Sequence, residues 1–252
     1  MSPFHAAPAE RAPEARRQDP PRVVLEGVRA DGPAGGEALH GVDLRLWGGE
    51  MVVVFGPPQS GKSTLLQCMA GLVRPTEGAV TVLGQVPHDP RSRVRGRIGW
   101  VGSPLRSGLE ETLDAPRLLR SWARFWGDGA EAREARVREA AALALLDDVP
   151  AGRPVSTLDL DHQARVRLAL ALLGRPGVLL LDEWTARVAR HRREEVYNLL
   201  HAWSRERGMT IVLGSRDLTE AQYVADTVVL MEQGVVLASG PWSSLEVKAE
   251  AL

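Results

Sequence analysis

Residues 51–70 read Met51-Val52-Val53-Val54-Phe55-Gly56-Pro57-Pro58-Gln59-Ser60-Gly61-Lys62-Ser63-Thr64-Leu65-Leu66-Gln67-Cys68-Met69-Ala70. The five apolar residues at the front predict a buried strand, and the run from Thr64 to Ala70 predicts a helix. Between them Gly56, Pro57, Pro58, Gln59, Ser60, Gly61, Lys62 and Ser63 fit the pattern G-x-x-x-x-G-K-[ST]. A strand before and a helix after are the setting in which that pattern cradles phosphate. Glycine lets backbone N–H groups converge on phosphate oxygens, and the helix N-terminus adds its positive end. Lys62 is expected to reach the β- and γ-phosphates, and the Ser63 hydroxyl, followed by Thr64, to sit at Mg²⁺. The chain uses arginine almost everywhere, and its only lysines are Lys62 and Lys248. A forked guanidinium cannot replace a compact ammonium inside a tight loop, so a lysine kept here points the same way.

The 252 residues allow one large domain or a core with a subdomain. A net charge of −1 offers no overall basic field, so no nucleic-acid partner is expected. The single cysteine, Cys68, excludes a disulfide within the chain and suits a reducing cytoplasm. The six histidines are scattered without metal-ligand spacing. No apolar run approaches a membrane span, and the first residues lack the apolar segment of a signal peptide. Residues 1–22, rich in Pro, Ala, Arg and Glu, read as a disordered lead-in to a folded domain over 23–252.

Residues 23–26 and 42–47 are expected to be strands of a small antiparallel layer, joined through the Gly-rich turn at 31–36. Residues 80–83 and 98–101 add short strands. From Leu109 to Asp148 the period turns helical, with Leu113, Leu118, Leu119, Trp122 and Trp126 on one stripe, read first as core. Strand and helix then alternate again: helix near 163–173, strand 178–181, helix 192–206, strand 210–213, and a hairpin turning at Gln233-Gly234. The fold class is α/β, with a small antiparallel β layer and a helical subdomain inserted at about 106–160. The strand at 178–181 runs into Asp182-Glu183. A carboxylate at the end of a buried strand is where Mg²⁺ needs its protein partner, so Asp182 is assigned there and Glu183 becomes the candidate base.

With these residues in place, the chain from about Val23 onward resembles the nucleotide-binding subunits of ABC transporters. The order of motifs matches, as do Gly71-Leu72-Val73-Arg74-Pro75-Thr76-Glu77-Gly78 and Asp182-Glu183-Trp184-Thr185, with Trp184 where proline is usual. The stretch from Glu220-Ala221 through Ala225-Asp226 to Gly240 is most similar to the bacterial exporter branch. The resemblance implies a P-loop NTPase core of ABC type that binds ATP and Mg²⁺. It implies a cytoplasmic subunit, peripheral at the inner face of the membrane, that dimerises head to tail with a second ATP-binding subunit and drives a transmembrane permease. The permease is then expected between the 103–111 loop and the helices from Leu113, with Trp122 and Trp126 as anchors.

Several positions depart from the family pattern. Asp159-Leu160-Asp161-His162 stands where the family has its phosphate-capping signature, Ser103 where it has the Q-loop glutamine, and Ala189 where it has the D-loop aspartate. Two acids are poor neighbours for a partner's triphosphate. Arg216 replaces the switch histidine; it can grip γ-phosphate but stays protonated. No aromatic for the base is found near Asp31-Gly32. The expectation is an ATP-binding subunit with slow or partner-dependent turnover, in a heterodimer rather than a homodimer. The alternative is a non-hydrolysing regulatory subunit of the same fold.

Overall fold

In one three-stranded sheet, inward residues alternate with outward ones; in the four middle strands of a second sheet of six, they do not. The structure is a computed structural model that describes residues 19–32, 35–102 and 108–249. Strands β1 (Val23–Asp31) and β2 (Glu37–Leu46) pair antiparallel, and β4 (Glu77–Val82) adds to the other edge of β1. Their alternation leaves one face in water, as antiparallel layers allow. Both β1 and β2 outrun the expected residues 23–26 and 42–47. Gly27 and Gly41, at positive φ, accompany breaks in register that carry the ladder past residues at which the period of two fails.

The larger sheet has the order β5 (Ile98–Val101), β6 (Val178–Asp182), β7 (Thr210–Ser215), β3 (Met51–Phe55), β8 (Thr227–Glu232) and β9 (Val235–Gly240). All its pairings are parallel except that of β9. All five residues of β3 are buried. A continuous apolar run is what a parallel strand covered on both faces requires. On one face lie helix α1 (Lys62–Ala70) and the antiparallel layer, with a core that includes Leu25, Leu46, Val52, Leu65 and Leu180. On the other, helices α4 (Leu160–Leu172) and α5 (Arg190–Arg207) pack Leu168, Leu172 and Leu200 against Leu181 and Leu213, with Trp184 from the segment after β6 in the same core.

Between β5 and α4 the chain forms a 3-10 turn at Gly108–Glu111 and helices α2 (Ala115–Ala123) and α3 (Ala130–Leu143). Asp114 starts α2 by accepting from the Arg117 N–H, with Pro116 in the first turn. A small cluster of Ala115, Leu118, Val155 and Val166 pins this arm to α4. Trp122 and Trp126, read as core, are only partly buried; Trp122 tilts against the exposed ring of Phe125 at 5.7 Å. Helix α6 (Leu218–Tyr223), the β8–β9 hairpin at Gln233-Gly234 and helix α7 (Trp242–Ala249) complete the chain. No helix among the described residues is long and apolar enough to cross a membrane.

Strand order decides where chemistry can gather. β7 lies between β3 and β6, so the loop after β3, the carboxylates after β6 and Arg216 after β7 all emerge at one carboxyl edge. That edge is where open α/β sheets bind ligands.

Candidate functional site

The loop after β3 is shaped by glycines that nothing larger could replace. A Cβ on Gly56 would meet the Met231 carbonyl at 2.1 Å, and one on Gly61, at φ 97°, would meet the Ala38 carbonyl at 2.7 Å. Gly234 ties the neighbours together: its N–H donates to the Ser60 carbonyl at 3.1 Å, and its carbonyl accepts from the His40 N–H at 3.0 Å. Pro58 and Gln59 turn outward, while Ser60, Lys62 and Thr64 are buried. Gly32 lies over the start of α1, a Cβ there falling 3.9 Å from Thr64 Oγ1.

Lys62 Nζ donates to Gly56 O at 2.9 Å, Pro57 O at 2.8 Å and Ser60 Oγ at 3.1 Å, so the loop wraps its own ammonium. Burial lowers the Lys62 pKa; Glu183 opposes that shift, Arg216 adds to it and Asp182 opposes it. These four charges therefore act on one another, although they come from three different strand ends.

Asp182 closes β6 and accepts from Ser63 Oγ at 3.0 Å. Burial raises its pKa above the ordinary value of 3.8, although the Ser63 hydrogen bond and the Lys62 charge pull the other way. A hydroxyl and a desolvated carboxylate side by side are hard oxygen donors of the kind that fit Mg²⁺. Glu183 follows in the left-handed region at φ 46°, its N–H held by the Gly214 carbonyl at 3.0 Å. Its Oε2 accepts from Arg216 Nη2 at 3.0 Å. The sequence assigned Arg216 to the γ-phosphate; the structure puts it on the candidate base, occupying a lone pair that a water proton would need.

The acidic start of α4 differs from expectation. Asp159 caps the helix, accepting from the His162 N–H at 2.8 Å and facing His162 Nδ1 at 2.7 Å, and these contacts hold its carboxyl below the usual range. Asp161 turns inward. It accepts from the Ala189 N–H at 2.7 Å and from Arg165 Nε at 2.9 Å. Arg165, with no exposed surface, also reaches Asp148 at 2.8 Å and the Leu145 carbonyl, and Arg192 meets Asp148 at 2.6 Å. The expectation that both acids face a partner's triphosphate is corrected: Arg165 neutralises Asp161 within the chain, leaving Asp159 and the exposed Leu160 on the open face. Sequence reasoning missed Arg165, although its spacing of four from Asp161 on a helix was the available signal. Trp184 is buried and donates its indole N–H to the Ala164 carbonyl at 2.9 Å, fastening the segment after Glu183 to α4. Ser103 lies outside the described residues.

A cavity of about 740 Å³ opens between Ser63, Asp182 and Glu183 on one side and Gln163 and Arg167 of α4 on the other. A groove of about 330 Å³ flanks the helical arm, lined by Trp100, Trp122 and Trp126 among others.

The family profile described as "ABC transporter" matches residues 39–186 of this chain. A lipoprotein-releasing system ATP-binding protein, LolD, of Anaeromyxobacter dehalogenans is 35% identical over 234 residues, spanning 88% of this chain and 95% of the relative. An energy-coupling factor transporter ATP-binding protein, EcfA2, of Symbiobacterium thermophilum is 35% identical over 242 residues, spanning 90% and 81% respectively. Among solved structures, the dimeric ATP-binding cassette MJ0796 bound to ADP and Pi superposes with a TM-score of 0.76 at 26% identity, covering 87% of this chain and 98% of that one.

Proposed function

This chain belongs to the ABC transporter family, and from that premise we propose that it is the ATP-binding subunit that couples ATP to a membrane permease. One observation carries the reading: Lys62, Ser63, Asp182 and Glu183 gather at the carboxyl edge of the parallel sheet, beside a loop whose glycines admit no side chain. A triphosphate entering the loop takes over from Gly56 O and Pro57 O as acceptor for Lys62, and its negative charge compensates the burial of that ammonium. Ser63 and Asp182 hold Mg²⁺, which neutralises phosphate charge when bound. Glu183 orients and deprotonates the attacking water once Arg216 has left it for the γ-phosphate. Arg216 cannot accept a proton, so turnover is slow or depends on a partner.

The partner we propose is a second, unlike ATP-binding subunit, because Asp159 and Leu160 form a poor cap for another copy's phosphate. The permease docks in the tryptophan groove. Trp100 Nε1 and Trp122 Nε1 are buried there without acceptors among the described residues, which suits a helical segment that offers a carboxylate or terminal carbonyls. The subunit then sits at the inner, cytoplasmic face of the membrane, with residues 1–22 as a lead-in and the helical subdomain over about 106–160.

Calorimetry tests the site: Mg²⁺–ATP should bind, and Lys62→Ala should weaken binding strongly. Equal binding by both would overturn the assignment. A second reading, a non-hydrolysing regulatory subunit, is favoured specifically by the Arg216–Glu183 pair. Hydrolysis that Glu183→Gln abolishes would exclude it.

A further inference from the structure

Between the nucleotide cavity and the tryptophan groove stands a wall with two charged side chains in it. Arg167 of α4 and Glu110 of the 3-10 turn each line both spaces, and Val101 and Gly102 at the end of β5 complete the partition. Arg167 Nη2 meets Glu110 Oε2 at 3.2 Å, a contact between residues 57 apart in sequence. Glu110 is 7% exposed, and that guanidinium is the cation it pairs with among the described residues. Arg167 is less committed: its Nε is buried with no acceptor among the described residues. A guanidinium offers five donors in a planar fork, and here one is taken by Glu110 while another stands unused in a side chain that borders both spaces.

We infer that the Glu110–Arg167 pair couples the nucleotide cavity to the tryptophan groove, an inference that rests on the nucleotide-site reading above. An anionic phosphate on the cavity side attracts Arg167 and competes with Glu110 for it. As the fork turns, Glu110 loses the counter-charge it has among the described residues and moves toward the donors of the groove, the indole N–H groups of Trp100 and Trp122. A ligand shifts such an equilibrium only through a difference in its interaction with the two arrangements, and phosphate supplies one because it is charged and Glu110 is already paired. The reverse also holds: a groove occupant that donates to Glu110 frees Arg167 for phosphate and strengthens nucleotide binding by the same factor, whereas one that takes the two indole donors with its own carboxylate keeps Glu110 on Arg167 and weakens it. A purely structural pair would show neither effect.

The full chain reports on itself through its tryptophans. Acrylamide quenching is measured with and without saturating Mg²⁺–ATP, with occupancy verified by calorimetry for every variant. Trp100→Phe and Trp122→Phe assign the groove signal. In the wild type, ATP changes the quenching of the groove tryptophans; in Glu110→Gln and Arg167→Gln that response is lost at full occupancy. Arg167→Lys, which keeps the charge, retains it in part and guards against a fault of folding in the glutamine variant. A response that survives intact in both glutamine variants, or a wild type that binds ATP without one, overturns the coupling. Failure of the wild type to bind ATP at all would instead overturn the nucleotide site, and this inference with it.

Discussion

Arg165→Met removes the buried charge that joins α4 to Asp148 and pairs with Asp161 on the same helix, while keeping most of the side chain's volume. Breaking a buried pair by deleting one partner typically costs about 3–5 kcal/mol. Here the loss is smaller, because Asp161 keeps the Ala189 N–H and Asp148, 37% exposed, keeps Arg192. The expected cost is about 2–3 kcal/mol, or a fall in Tm of roughly 5–10 °C for a domain of this size. Arg192→Ala, which leaves Asp148 still bound to Arg165, should cost less than about 1 kcal/mol. The pH dependence has a fixed sign. Arg165 holds the Asp148 carboxyl below its ordinary 3.8, so the pair's stabilisation is fully present above that value and is lost as the pH falls through the lowered one. Urea titrations at pH 7 and below pH 4 should show the gap between wild type and Arg165→Met closing on acidification. A variant as stable as wild type at pH 7, or a gap that widens in acid, would refute the reasoning.

Arg216→His should free Glu183 and raise steady-state ATP hydrolysis by about tenfold or more, short of the roughly 10²–10⁴-fold that a positioned base contributes in full; an unchanged rate would mean the pair does not restrain Glu183. Because burial raises the Asp182 pKa, protons should compete with Mg²⁺ at a higher pH than for an ordinary carboxylate. Mg²⁺-dependent ATP affinity should therefore begin to fall on acidification at a higher pH than an ordinary carboxylate would give, and calorimetry on Asp182→Asn should show a shallower fall. Asp159→Ser with Leu160→Gly, in a Glu183→Gln background, should favour an ATP-dependent homodimer. At ~5 Å in near-aqueous surroundings the Asp159 charge repels a phosphate by only about 1 kcal/mol at each of the two sites, so sedimentation should show a shift of roughly 20- to 30-fold in dimer affinity. A tight wild-type dimer left unchanged by the pair of substitutions would count against the acidic cap.

The phosphate loop, its flanking strand and helix, and Asp182-Glu183 were legible because each is a local pattern whose chemistry depends on residues a few positions apart. The lengths of β1 and β2 were not, since the bulges at Gly27 and Gly41 interrupt the period by which strands are recognised. Asp161 was misjudged for a related reason. Sequence shows that a carboxylate is present at a helix start, but which way it points is decided by Arg165 and by the Ala189 N–H from a distant segment. The pairs Arg216–Glu183 and Glu110–Arg167 join residues 33 and 57 positions apart, and only the strand order and the packing of α4 bring them together.

The grip of Gly234 on the phosphate loop bears on how the protein is made. Ser60 is translated early, yet the N–H that its carbonyl accepts from belongs to a residue near the far end of the chain, as does the Met231 carbonyl packed on Gly56. On the ribosome the loop therefore exists for roughly 10–35 s, at about 5–20 residues per second, before the hairpin that shapes it has been synthesised. A nascent chain in that interval comes to hold the whole loop from Gly56 to Thr64 and still lacks the finished cradle. The cradle is therefore completed only when nearly the whole chain, the helical arm included, has been made.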